Sequence, residues 1–244
     1  MAIVQQSRDP FSAIRIKEYR NLVAGRFLFI MGLRMMSTLV GWWIYNLTNA
    51  PIAIGLVGLS EFIPAFSLAL YAGHVIDISE KRKLLLRGVS LYLLAVLILL
   101  FLSTSFTAAR LHPHFIAVCI CSVIFGTGVV RSFTGPVFNV VLAQVVPKNI
   151  LQNATTWNQG AWLSASVSGH AIGGFLIAGL GNTGALIVIA SLVFTALMVL
   201  TGLKPKPALN VPGDKRTLDS VKEGLHFVFK TKELLGAISL DLFA

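Results

Sequence analysis

The strongest constraint on this chain is a succession of long apolar runs separated by short polar turns. The runs fall at 21–46, 52–75, 84–106, 115–141, 153–180 and 185–203. Each reaches or approaches the ~20 residues a helix needs to cross the hydrocarbon core of a bilayer. No water is available there, so each crossing segment must satisfy its own backbone N–H and C=O groups, and a helix does so. The pattern therefore predicts an all-α membrane protein with six transmembrane helices. Charged residues are only 12% of the chain, about half the share in a soluble domain. The net charge of +10 would suit nucleic acid if it covered one soluble face. Instead the bases lie between apolar runs, which excludes nucleic acid and makes the lipid bilayer the first partner.

The bases also set an orientation. If residues 1–20 are cytoplasmic and the helices alternate, four bases precede the first run and four lie between Lys81 and Arg87. Lys148 adds one and the stretch from Lys204 to Lys232 adds seven, making 16 of the 20 on the inner side. Only Arg110 falls outside, and Arg26, Arg34 and Arg131 lie within runs. This asymmetry predicts a multi-pass protein of the plasma (inner) membrane with a cytoplasmic N-terminus.

Residues 1–20 read as a cytoplasmic leader, with Phe11, Ile14 and Tyr19 available to lipid headgroups. Residues 21–203 form the six-helix bundle, in which Pro136 is expected to bend the fourth helix. Residues 204–232 read as a cytoplasmic linker, broken by Pro205, Pro207, Pro212 and Gly213 and ending in an amphipathic helix. Residues 233–244 read as the start of a truncated seventh helix. Cys119 and Cys121, two apart in an apolar run, suit small core positions better than a disulfide or metal pair.

Ionisable residues inside the runs are the first functional candidates. A charge at the bilayer centre costs ~3 kcal/mol or more, so it normally faces a partner or a watery cavity. Arg34 lies twelve residues before the outer end of the first helix and Glu61 eleven after Ala50 in the turn that precedes the second. Both are then ~16–18 Å below the outer surface. They meet as an ion pair or flank one cavity, in a packing or a transport role. Arg131 in the fourth run has no acid in its own helix.

Between the second and third runs stands the charged turn Gly73-His-Val-Ile-Asp77-Ile-Ser-Glu80-Lys81-Arg82-Lys83. Gly73, Asp77, Lys81 and Arg82, with Lys83 extending the basic run, resemble the signature loop of the major facilitator superfamily, which joins helices 2 and 3 on the cytoplasmic side. Ile78 stands where that family often has arginine, and Glu80 where it usually has glycine. Arg131 followed by Gly135 is similar to the family's helix 4 motif, whose arginine is associated with proton coupling or binding. Gly160, Gly169, His170, Gly173 and Gly174 resemble the antiporter motif of facilitator exporters, with His170 in place of a proline.

The resemblance implies the N-terminal half of a facilitator exporter, closest to the enterobactin and macrolide exporters. In that reading the chain is a secondary transporter, truncated here. It would drive proton-coupled efflux of an amphipathic small molecule such as a drug or siderophore, with a missing C-terminal half as partner. The Asp77 loop would then act as a conformational switch. The alternative is a non-transporting six-helix scaffold or partner subunit. The sequence contains no G-x-x-x-x-G-K-[ST] phosphate loop, no nucleophile–base constellation and no metal-spaced His/Cys cluster. Neither an enzyme nor a cofactor is therefore expected.

Overall fold

The computed structural model describes residues 10–205, so all but the first two residues of the linker at 204–232, and the expected start of a seventh helix at 233–244, lie outside the described residues. Among the described residues all regular structure is helical: α1 (Lys17–Thr48), α2 (Pro51–Ser67), α3 (Ala69–Ile78), α4 (Lys81–Leu102), the single turn α5 (Ser105–Ala108), α6 (Pro113–Val145) and α7 (Leu151–Thr201), the last preceded by a 3-10 turn at Lys148–Ile150. Four helices are long and apolar enough to cross a membrane, or five if α2 and α3 are one broken span. Their outer faces suit lipid. Phe175 is 79% exposed and Val167 72%, which a water-facing surface would not tolerate in such number.

The run at 52–75, expected as one crossing, bends by 52° between α2 and α3. The break is at Leu68 (φ −95°, ψ −3°), one turn after Pro64. Proline removes one backbone donor and crowds the preceding turn, a common origin of such bends. Across the break, the Leu68 N–H still donates to Pro64 (3.1 Å) and the Ala72 N–H to Leu68 (2.8 Å). By contrast α6 continues as one helix through Pro136.

The runs at 153–180 and 185–203 are joined without a loop. Two helical arms of α7 meet at Gly181, whose φ of 66° and ψ of −174° are not helical. Only glycine occupies that backbone region readily. Close packing partners give the direction of each arm. Gly169 and then Gly173 lie against Met31 and then Met35, in the same order along both chains. Gly25 and then Gly32 lie against Leu200 and then Val193, in the opposite order. The arm at 151–180 therefore runs parallel to α1 and the arm at 182–201 antiparallel to it. α4 is pinned along the second arm at both ends. The Arg82 guanidinium donates to the Thr201 carbonyl (2.8 Å), and the hydroxyl of Thr183 donates to the Ser103 carbonyl (3.0 Å).

The described part of the leader, residues 10–20, is tied to the bundle, with Phe11 still exposed and Tyr19 withdrawn from headgroups. Residues 10–16 form a turn strapped to the start of α7, where Trp157 Nε1 (2.7 Å) and Asn153 Nδ2 (2.8 Å) both donate to the Pro10 carbonyl. Tyr19 is fully buried and its hydroxyl donates to the Ala154 carbonyl at 2.6 Å. A phenol must place its O–H once its ring is buried, and a carbonyl in the first turn of α7 accepts it. Phe29, at the centre of the bundle, meets the edge of Tyr92 (centroids 5.1 Å) and the ring of Phe138 (5.9 Å). It thereby ties α1 to α4 and α6. Lipid tails are as apolar as these side chains, so close packing holds the helices together here more than release from water does.

Candidate functional site

The site begins with a close approach. A Cβ on Gly128 of α6 would meet the Glu61 carbonyl and stand 2.7 Å from Pro64 Cγ, so the missing side chain lets α2 lean onto α6 at this level. One turn further along α6, on the same side, Arg131 reaches across. Its Nη1 donates to Glu61 Oε1 at 2.7 Å. Glu61 thus pairs with Arg131 and not with Arg34, and Arg131, which has no acid in its own helix, finds one on α2. Equal depth along two helices left rotation about their axes open, and Gly128 turns Glu61 towards α6.

Arg34 lines the same cavity as this pair, with its guanidinium carbon 5.7 Å from the centre of the Trp162 ring. Among the described residues that guanidinium has no hydrogen bond and no ion pair. The cavity has a volume of about 200 Å³ and also receives Arg26 and Tyr92. Arg26 Nη1 donates to Asn139 Oδ1 (2.9 Å) and Asn158 Oδ1 (3.1 Å), and its guanidinium carbon lies 5.3 Å from the centre of the Phe138 ring. Its Nε is buried without a partner, as is the Tyr92 hydroxyl. Three guanidiniums and one carboxylate therefore share a pocket among apolar helices. Sequence reasoning singled out Arg34, Glu61 and Arg131 but missed Arg26, Tyr92, Asn158 and Trp162. Arg26 carried a signal, because eight residues separate it from Arg34 and such a spacing keeps two side chains on one broad helix face.

The charged turn is shorter than its sequence suggests. Gly73 and Asp77 belong to α3, Lys81, Arg82 and Lys83 form the first turn of α4, and only Ser79 and Glu80 lie between. Bases at a helix start oppose its dipole. Lys81 resolves this by folding back, fully buried, to donate to the carbonyls of Ile76, Asp77 (2.9 Å) and Ser79 (3.0 Å) at the end of α3. Cations are favourable there, and the contact explains why α3 continues past 75. Lys83 pairs with Glu80 at 2.8 Å. Asp77 offers Lys81 its backbone carbonyl, and among the described residues its exposed carboxylate makes no ion pair. Gly73 faces open space.

The α7 glycines divide into two kinds. A Cβ on Gly169 would stand 2.7 Å from Arg34 Cβ and 2.8 Å from the Met31 carbonyl, and one on Gly173 3.0 Å from Met35 Cα. These two, four apart, form the seam that lets α1 and α7 touch backbone to backbone. Gly160 and Gly174 meet nothing within 4 Å. His170 Nδ1 lies 2.8 Å from the Thr38 hydroxyl, beside the same seam.

An ion pair and two further arginines at one pocket among apolar helices mark that pocket as the candidate functional site of a membrane protein. A family model described as "transmembrane secretion effector", of the major facilitator superfamily, matches residues 8–239. The chain belongs to that family. No curated protein matches it.

Proposed function

We propose that this chain is a secondary active transporter, and not an enzyme, that exports an amphipathic small molecule by proton exchange. The observation that carries the reading is the cavity in which Glu61 and Arg131 pair beside Arg26, Arg34 and Tyr92. Ionisable groups at membrane depth are costly and mark substrate or proton paths. Glu61 is the proton-exchanging group in this reading, because its carboxylate can be released from Arg131 on protonation.

The proposal includes six crossings. α2 with α3 counts as one and the opposed arms of α7 as two, which supports that number. Tyr19, Ala154, Arg82 and Thr201 gather at one end of the bundle, beside the described bases Arg20, Lys81 and Lys83. That end is assigned to the cytoplasm of the plasma (inner) membrane. A second six-helix unit completes the cavity, and rocking of the two alternates access. The Lys81 turn, braced on α3 and flanked by the Arg82–Thr201 bond, is placed to latch one of these states.

The test is a fluorescent-dye efflux assay in inverted membrane vesicles, alongside macrolides and siderophores, with and without a protonophore. Export that collapses with the proton gradient in the wild type, and is lost in Glu61→Gln at normal abundance, is the expected result. Export indifferent to the gradient, or full activity in Glu61→Gln, overturns the proton-exchange reading.

A further inference from the structure

We propose that the cavity recognises the negative end of its ligand, an organic anion whose carboxylate or similar oxyanion is carried on an apolar, ring-containing body. The inference deepens the transporter reading and rests on it for the role of the cavity. Between residues 10 and 205 the chain has four acids, Glu18, Glu61, Asp77 and Glu80. Glu18, Asp77 and Glu80 stand at helix ends, so Glu61 alone serves the interior. Against it stand Arg26, Arg34 and Arg131, a surplus of two positive charges in one pocket. Glu61 is committed to Arg131.

Arg26 is held by two neutral carbonyl oxygens and keeps an unpartnered Nε. Arg34 rests only against the Trp162 ring. Tyr92, 1% exposed, brings a hydroxyl with no partner. These are donors without acceptors, and a cation at this depth normally finds a counter-charge. An incoming oxyanion supplies it. A cationic ligand would meet the same surplus as repulsion.

The walls describe the rest of the ligand. Trp162 and Phe138 already lie against the guanidiniums of Arg34 and Arg26, and Phe29 continues the aromatic surface. At about 200 Å³ the pocket is smaller than the ~300–1,000 Å³ of a drug-sized site, so it takes the charged head and leaves the remainder outside. Arg26 and Arg34 are ~12 Å apart along α1, which allows the head to be engaged at either level.

The full chain in nanodiscs of zwitterionic phosphatidylcholine tests this by equilibrium dialysis against three probes of one shape: 2-naphthoate, 2-naphthamide and 2-naphthylmethylammonium. We expect saturable naphthoate binding at least about tenfold tighter than naphthamide, as charge-assisted hydrogen bonds provide, with the ammonium weakest. Arg34→Gln should reduce that preference to within about threefold, and Arg34→Lys should keep part of it. The wild-type ranking needs no variant, so a misfolded mutant does not rescue the idea. Equal binding of the three probes, tighter binding of the ammonium, no saturable naphthoate binding, or an unchanged preference in both Arg26→Gln and Arg34→Gln would overturn it. Transport is read separately in proteoliposomes. Anion-selective binding without gradient-driven movement of naphthoate removes the transporter reading alone. Gradient-driven movement of the ammonium and not of naphthoate removes the anion inference alone.

Discussion

Gly169→Ala and Gly174→Ala place the same methyl group on one helix, five residues apart, with opposite consequences. At Gly169 the new Cβ would lie 2.7 Å from Arg34 Cβ, about 0.8 Å inside the ~3.5 Å at which carbon atoms pack comfortably. It would also stand 2.8 Å from the Met31 carbonyl and 3.3 Å from Met31 Cα. None of these atoms is the free end of a flexible side chain. α1 and α7 must therefore part by most of an ångström along their longest shared seam. Overpacking of this kind costs ~1–3 kcal/mol. At Gly174 nothing lies within 4 Å. There alanine only lowers the backbone freedom of the unfolded chain and raises helix propensity, worth about 0.4–1 kcal/mol in favour of the fold. The assay is thermal unfolding of the purified variants in one detergent, followed by loss of soluble monomer. Gly169→Ala should unfold at a lower temperature than wild type, and Gly174→Ala at the same or a slightly higher one. Equal stability of the two variants would refute the backbone-to-backbone seam, and with it the opposed packing of the α7 arms on α1.

Gly181→Ala should destabilise by ~1–3 kcal/mol although no atom crowds the site, because its φ of 66° with ψ of −174° is a backbone region other residues enter only under strain; thermal unfolding reads the shift, and a neutral outcome would mean the reversal does not need this conformation. Glu61→Gln and Arg131→Gln should each lower stability. Breaking a fully buried pair costs ~3–5 kcal/mol, and the openness of this pair to the cavity reduces that to about 1–2 kcal/mol. The double variant should lose less than the sum of the single losses, and strict additivity in this double-mutant cycle would show that the two side chains do not interact.

Much of this protein could be read directly from its residues, because the bilayer imposes a one-dimensional rule. A long apolar run at membrane depth must be helical, so α1, α4 and α6 appear where the runs fall, with their ends shifted by two to four residues. Unequal charge between turns and the spacings around Gly73, Arg131 and Gly169 pointed to the family that the match over residues 8–239 bears out. What the runs could not carry was rotation about each helix axis. A position along a helix gives depth, and depth placed Arg34 and Glu61 level with each other. Which neighbour each one faces depends on the packing of three helices at once. Gly128 opens α6 to α2, Arg131 then takes Glu61, and Arg34 is left on Trp162. The bend at Leu68 and the reversal at Gly181 were likewise decided by backbone geometry that hydropathy does not encode. The sequence by itself determined that the chain is helical, membrane-embedded and charged at certain depths. Only the tertiary structure decided which charges meet, because ion pairing at close range depends on ångström-scale approach between helices distant in sequence.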